Sequence, residues 1–403
     1  MKIGLFVDAF FPMIDGVINV VDCYATELSR RAEVTVFCPK AKGEKKSSPL
    51  VKPYKIVRCR SFSIPRFDYA VPTPSLDRKF IRLLKKYKLD VVHAHSPFGI
   101  CHKAKKYAKK HGIPLIGTIH SQYKHDFERN LKLRLPINLA TSYVVAFYNS
   151  CDECWTVNEG MKSIYQNGLG ISKPCLVMPN ATDHLPIENK RDTDRQINSL
   201  YGINDSTVVF LFVGRLTFQK NVDLIVRALK ILKEKGIDFK MLFVGTGQDE
   251  MKLFKMISDS GLLKEVVICG KITDKNLLQM LYARAKLLLF PSLYDASSLV
   301  QIESACQKTP TLFLEGATTS CGIIKDKNGF LAKNSPFYYA EEILRILSDG
   351  ELYNRVSEGA FNDLYLTWEQ VIEKVYAGYE RLIEENAKKQ RKEKDRIFSL
   401  RKG

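Results

Sequence analysis

Short β-branched or apolar runs alternate with segments of helical period along most of this chain. In the first half the runs are KIGLFV (2–7), EVTVFC (33–38), YKIVRC (54–59), DVVHAH (90–95), PLIGTI (114–119) and ECWTV (153–157). Between several of them lie helical patterns such as SLDRKFIRLLKKYKL. Such alternation predicts right-handed βαβ units and a parallel sheet. Polar residues 183–206 break the pattern, which restarts with TVVFLFV (207–213), FKMLFV (239–244), EVVICG (265–270), KLLLFP (286–291) and TPTLFLE (309–315). The expected architecture is α/β, with two doubly wound parallel-sheet domains over 1–185 and 206–386. A linker at 186–205 joins them and a basic tail at 387–403 follows. Ligands of such sheets bind at the carboxyl ends of the strands, here expected in a cleft between the two domains.

The chain of 403 residues is 45% hydrophobic, enough for two real cores. It has no apolar run of 18 residues, and MKIGLFVDAFFPM reads into a strand and a loop, not a secretory leader. The expected compartment is the cytoplasm. Most of the ten cysteines sit alone in apolar runs, as reduced buried thiols do. Cys151 and Cys154 form a lone CxxC with no second ligand pair nearby, which reads as structural.

The net charge of +18 is unevenly spread: residues 1–185 hold 29 Lys and Arg against 15 Asp and Glu, and 186–386 hold 25 against 27. The tail from Ala387 holds 8 against 2. Anionic partners are therefore expected at the first half and the tail: a membrane surface, a phosphorylated acceptor or nucleic acid.

Several stretches could carry chemistry. The loop DAFFPMIDGVINVV (8–21) places Gly16 at the start of a helix, where free N–H groups can meet an anion or simply form a tight turn. In FLFVGRLTFQKNVDLIVRAL (210–229), Arg215 and Lys220 bracket the turn after a strand and suit a diphosphate, the other reading being solvated loop charges. VGTGQDEM (244–251) has Gly245 and Gly247 but Glu250 where a dinucleotide fingerprint needs glycine, and GxxxxGK[ST] is absent. Oxidoreductase and P-loop chemistry are both disfavoured. His93, His95 and His120 stand at strand ends without a further ligand set, so zinc is disfavoured and His120 reads as a polar ligand-binding or catalytic group. In PSLYDASSLVQIESACQ (291–307), Ser298-x-x-Gln301 has the form of a capping box that starts a helix near Leu299. Asp295 then lies ahead of the helix and Glu303 a little over one turn inside it. They read either as a hydroxyl-binding pair or as acids favoured by the helix dipole.

Taken together, and in order, these stretches resemble the family-4 retaining glycosyltransferases of the GT-B fold, built from two Rossmann-like domains. The resemblance runs over about residues 1–380: FFPxxxG at 10–16, HxH…GTIHS at 93–121, PNATD at 179–183, GRLTFQK at 214–220, the acid-x7-acid motif at Asp295–Glu303 and NGFLA at 328–332. It implies that Arg215 and Lys220 bind the donor diphosphate and stabilise the leaving nucleoside diphosphate, with no metal and no cofactor required. It implies further that Glu303 holds ribose hydroxyls and Asp295 those of the donor sugar, while backbone around Ala296, Ser297, Ser298 and Leu299 touches sugar and phosphates. Gly16 and Gly245 would allow close approach, Gly270, Lys271 and Ile272 would flank the base, and His120 would lie beside the transferred sugar. Two departures stand out. The first acid is Asp where the family usually has Glu, and DASS replaces a glycine-rich turn.

The resemblance is greatest to members that glycosylate lipids, such as diacylglycerol glucosyltransferases. It implies a UDP-sugar donor and a lipid or saccharide acceptor. The stretch 75–88 mixes Phe80, Ile81, Leu83 and Leu84 with six cations, among them Arg78, Lys79, Arg82, Lys85 and Lys86. It reads as an interfacial surface for anionic lipid at the inner face of the membrane, or as a solvated basic face. No nucleic-acid signature accompanies the charge, so nucleic acid is not expected. A non-catalytic nucleic-acid-binding protein and a nucleotide-sugar epimerase of the same fold are the alternatives.

Overall fold

The computed structural model describes residues 1–13, 15–40, 51–63, 70–131, 133–296 and 299–400. The chain forms two units, Met1–Asn180 with Trp368–Gly403, and Ala181–Thr367. The first unit contains β1 (Lys2–Phe6), α1 (Gly16–Leu28), β2 (Glu33–Pro39), β3 (Lys55–Cys59), β4 (Ser61–Ser63), β5 (Ala70–Pro72), α2 (Arg78–Lys86), β6 (Val91–Ala94) and α3 (Gly99–His111). It continues with β7 (Leu115–Ile119), α4 (Tyr123–Asn130), α5 (Arg134–Tyr148), β8 (Glu153–Thr156), α6 (Glu159–Ser163) and β9 (Cys175–Val177). Seven strands make a parallel sheet in the order β3-β2-β1-β6-β7-β8-β9, and β4 and β5 form a small antiparallel pair. The order reverses between β1 and β6. Each expected strand of this half is present; β4, β5 and β9, all of three residues, are too short to carry a periodic signal.

The second unit runs α7 (Lys190–Tyr201), β10 (Val208–Val213), α8 (Val222–Glu234), β11 (Phe239–Val244), α9 (Glu250–Asp259), β12 (Val266–Gly270) and α10 (Lys275–Arg284). Then come β13 (Leu287–Leu289), α11 (Leu299–Cys306), β14 (Thr311–Leu314), β15 (Phe330–Ala332), α12 (Pro336–Ser348) and α13 (Gly350–Leu364). Its six-stranded parallel sheet has the order β12-β11-β10-β13-β14-β15, reversing between β10 and β13. Strand residues Phe210, Leu211, Met241, Leu242, Leu287 and Leu288 are wholly buried, as expected for a sheet covered on both faces.

Two expected boundaries differ. Residues 186–205 are no plain linker: they hold α7, which buries Ile197 and Asn198 and is tied in by a hydrogen bond from Arg284 Nε to Asn198 Oδ1 at 2.8 Å. Its polar outer face dominates the composition and hides the helix from a reading of hydropathy. The second correction concerns the end of the chain. Residues 368–386 belong to the first unit, and together with the expected tail up to Leu400 they form one helix, α14 (Trp368–Leu400). Its buried stripe is Val371, Val375, Tyr379 and Leu382, spaced at the helical period. Tyr379 stacks on Trp155 at 5.5 Å and its hydroxyl bonds His93 Nδ1 at 2.6 Å. Arg381 reaches the buried Glu153 through two bonds of 2.7 and 2.9 Å.

α14 thus closes one face of the first sheet. A charge at the centre of its stripe, as in Val375→Asp, is expected to cost more than about 3 kcal/mol by burying an unpaired carboxylate. Hydrogen exchange should show lost protection in β6, β7 and β8 but not in β10–β14. Equal loss in both sheets would contradict the assignment of α14 to the first unit.

Candidate functional site

In the second unit, the loops that leave β10 and β13 emerge side by side at the carboxyl ends of the strands, where the strand order reverses. That position leaves a crevice for ligands in open α/β sheets. The loop after β10 turns at Gly214 (φ 156°), passes through a short 3-10 turn at Phe218–Lys220 and enters α8 through Asn221 in the left-handed region (φ 59°). Asn221 is held there by bonds from Nδ2 to Asn334 Oδ1 at 3.0 Å and to Pro291 O at 3.4 Å. Lys220 Nζ lies 2.5 Å from Asp295 Oδ2, joining the two loops, and 5.8 Å from the centre of the Phe290 ring. Both members of the pair are mostly shielded, with side chains 14% and 28% exposed. The Arg215 side chain is exposed and makes no bond to a described residue.

α11 starts at Leu299 and packs Ile302, Ala305 and Cys306 inward. Glu303, on its remaining edge, is half-buried and accepts a hydrogen bond from Tyr282 Oη at 2.7 Å. Burial raises its pKa above the usual carboxylate value, with nearby His184 and the Tyr282 bond pulling the other way.

The loops after β11 and β12 complete this edge. A Cβ on Gly245 would sit 1.9 Å from Gly214 O, and one on Gly247 would sit 2.2 Å from Leu216 O. Both glycines are needed for backbone to pack on backbone. The contacts are sealed by Gly214 N to Val244 O at 2.9 Å, Leu216 N to Thr246 O at 3.0 Å and Gly245 N to Gly270 O at 2.8 Å. Asp249 Oδ2 accepts from Phe218 N at 3.0 Å. The turn that carries Arg215 and Lys220 is therefore braced from below. Gly270 is left-handed (φ 68°), followed by exposed Lys271 and half-buried Ile272.

The first unit has a comparable edge where its own order reverses. Asp8, after β1, accepts from Ser96 Oγ at 2.6 Å, Phe98 N at 3.2 Å and Ile100 N at 2.7 Å, and so caps α3 from the neighbouring strand. His120, at the end of β7, is buried and bonds through Nε2 to His95 Nδ1 at 3.0 Å. His95 Nε2 is sealed and has no partner among the described residues. A bare acceptor there costs less than an orphaned N–H, so His95 Nδ1–H donates and His120 keeps its proton on Nδ1. His93 is satisfied by Tyr379 and by Thr118 Oγ1 at 2.6 Å. Gly16 opens α1 behind the Asp15 cap, and a side chain there would meet nothing within 4 Å.

Residues 14–184 match the profile described as Glycosyltransferase Family 4, and residues 193–363 that described as Glycosyl transferases group 1. Sucrose-phosphate synthase from Thermosynechococcus elongatus superposes with a TM-score of 0.75 at 16% identity, over 94% of this chain and 98% of that one. The chain belongs to glycosyltransferase family 4 and has the GT-B fold. The transferase is 23% identical over 372 residues to Alpha-monoglucosyldiacylglycerol synthase of Acholeplasma laidlawii, covering 89% of this chain and 92% of that protein. A structure of Anabaena HepE in complex with UDP and glucose has a TM-score of 0.71 at 15% identity, covering 93% and 98% of the two chains.

Of the residues singled out in the sequence of the transferase, Lys220 and Asp295 touch, Arg215 lies five residues before Lys220 on the same turn, and Glu303 lies on the helix that follows Asp295. Ser297 and Ser298, with the capping box expected there, lie outside the described residues. Gly245 has a packing reason of its own. The basic helix α2 exposes Arg78, Lys79, Arg82, Lys85 and Lys86 but turns Phe80 and Leu84 into the core, so it offers charge more than an apolar face. Among the described residues no helix is long and apolar enough to cross a membrane, and no group of acids, histidines and cysteines could hold a metal ion. All ten cysteines are free thiols, Cys151 and Cys154 buried. Sequence reasoning missed Tyr282, His184 and Asp8. Asp8 follows the first apolar run, where an acid ahead of a loop could have flagged it; the other two carry no local signal.

The buried histidines make the first unit of the transferase acid-sensitive. Burial drives the pKa values of His93 and His95 well below the ordinary 6.5 and that of His120 to about 3. Unfolded, these side chains take up protons below about pH 6.5 while the folded state does not, so stability is full above that pH and falls as pH falls. The expected slope from pH 6.5 to 5.5 approaches about 1.4 kcal/mol per histidine. Denaturant unfolding across that window checks it, and a flat profile would mean that the histidines take up protons as readily folded as unfolded.

Proposed function

We propose that the transferase moves a hexose from a UDP-sugar to a membrane lipid, with retention of anomeric configuration and without a metal ion. The observation that carries this reading is the Lys220–Asp295 pair at the strand-order reversal of the second unit, with Arg215 unengaged beside it. A diphosphate at the carboxyl ends of β10 and β13 would meet Arg215 and Lys220 as the sugar–phosphate bond breaks. The shielded Lys220, held by Asp295, and the exposed Arg215 on the same turn would stabilise the charge that develops on the departing oxygen. The braced backbone beneath them holds that geometry before the donor arrives. Asp295, released from Lys220 by the incoming phosphates, becomes the acceptor for hydroxyls of the donor sugar. Glu303 takes the ribose hydroxyls.

Retention follows if the acceptor hydroxyl attacks from the face the diphosphate leaves. Its proton then passes to the departing phosphate oxygen, and no protein nucleophile is required. The UDP and glucose of the HepE complex support the donor, and the name of the Acholeplasma relative supports the lipid. The exposed cations of α2 support an anionic bilayer as the place where acceptor is met, each contributing about 1 kcal/mol near the surface.

Two experiments test the reading. In a thermal-shift panel of UDP- and GDP-sugars, one UDP-sugar should stabilise the wild type by several degrees, and Lys220→Ala and Glu303→Ala should each abolish the response. No response to any donor would overturn the assignment. In sedimentation with phosphatidylglycerol vesicles, binding should be strong at low salt and weak at high salt. It should also drop in the triple variant Arg82→Glu, Lys85→Glu, Lys86→Glu. Binding that ignores both salt and these charges would remove α2 from the membrane surface.

A further inference from the structure

Tyr282 is wholly buried near the end of α10, and its hydroxyl bonds Glu303 Oε2 on α11, 21 positions along the chain. A tyrosine hydroxyl in such a place is costly unless partnered, and a phenylalanine would fill the same space without that demand. The hydroxyl has one partner among the described residues, the carboxylate of Glu303. Burial raises the phenol's pKa well above its ordinary 10, so it remains a donor at any working pH. Glu303 Oε1, by contrast, accepts no bond from a described residue. The ring of His184, itself buried, stands 6.2 Å from that of Tyr282 and packs it in place.

The consequence is a carboxylate with one oxygen fixed and one presented. Without the Tyr282 bond, Glu303 would be free to rotate about its last torsion, and its burial would favour uptake of a proton. Either change spoils an acceptor meant for a pair of neighbouring hydroxyls. We propose that Tyr282 is a positioning residue that sets sugar specificity in the nucleotide: by fixing Oε2 of Glu303 it aims Oε1 at the ribose diol, so that ribonucleoside diphosphates are selected over their deoxy counterparts. The inference rests on the reading of Glu303 as the ribose-binding group.

Calorimetric titration of UDP and 2′-deoxy-UDP, with GDP and 2′-deoxy-GDP alongside, tests it in the wild type, Tyr282→Phe, Tyr282→Met and Glu303→Ala. A hydrogen bond to a charged group corresponds to about ten-fold in affinity, so the wild type should prefer the ribonucleotide by about that factor. Glu303→Ala should bring the ratio near one. Tyr282→Phe should weaken UDP by about ten-fold and 2′-deoxy-UDP by no more than about two-fold, compressing the ratio. Tyr282→Met fills similar space without a hydroxyl and should give the same compression, which guards against a folding defect in one variant. Equal weakening of both nucleotides by either tyrosine variant would mean a structural role only and would overturn the proposal. A ratio that collapses in Glu303→Ala but persists in Tyr282→Phe overturns the role of Tyr282 alone. If the ratio persists in Glu303→Ala, or no nucleotide binds, the ribose reading of Glu303 fails and the proposal with it.

Discussion

Strands β10 and β13 lie side by side in parallel register, Phe210 against Leu287 and Leu211 against Leu288, although three helices and two strands separate them in the chain. This pairing reverses the strand order, and the reversal is what lets two loops leave the sheet together without a connecting helix covering them. Lys220 and Asp295, 75 residues apart, meet only because of it. So does the relation of both to α11, which follows β13 and carries Glu303. The remaining loops of that edge serve the same end. Gly245 and Gly247 let the backbone after β11 press against the backbone after β10, which stiffens the turn before any ligand contributes.

The first unit repeats the principle with different groups. The β1–β6 pairing brings Asp8 under the start of α3, where a carboxylate and three donors fix the loop that follows the first strand. Beneath it lies a stack of histidines kept neutral by burial, roofed by α14. That helix ties the last segment of the chain to the first sheet through Tyr379, Trp155, Arg381 and Glu153. The chain therefore leaves the first unit at Asn180 and returns to it at Trp368, so the start of α14 shares a core with the strands of the first sheet. Such a return holds against thermal fraying only if the returning helix buries a full apolar stripe, which Val371, Val375, Tyr379 and Leu382 supply.

Electrostatically the two halves differ in kind. The second is near neutral overall, and two of its cations, Arg215 and Lys220, stand at the turn after β10. The first carries its excess on exposed helix faces such as α2. A shielded, paired charge such as Lys220 suits the stabilisation of a defined group, whereas many solvated ones suit a diffuse anionic surface.

By itself the sequence determined the alternation of strands and helices, since buried parallel strands read as continuous apolar runs. It also determined the order of the motifs that carry Arg215, Lys220, Asp295 and Glu303. These are local properties, written in period and spacing. Three features needed the tertiary structure. The short strands β4, β5, β9 and β15 are defined only by their partners. The places of α7 and α14 depend on which core takes a mostly polar helix, and hydropathy does not say. The pairings of Tyr282 with Glu303, His95 with His120 and Asp8 with α3 join positions from 21 to 92 residues apart. Their worth comes from burial, which a sequence names for no single residue until the chain has closed around it.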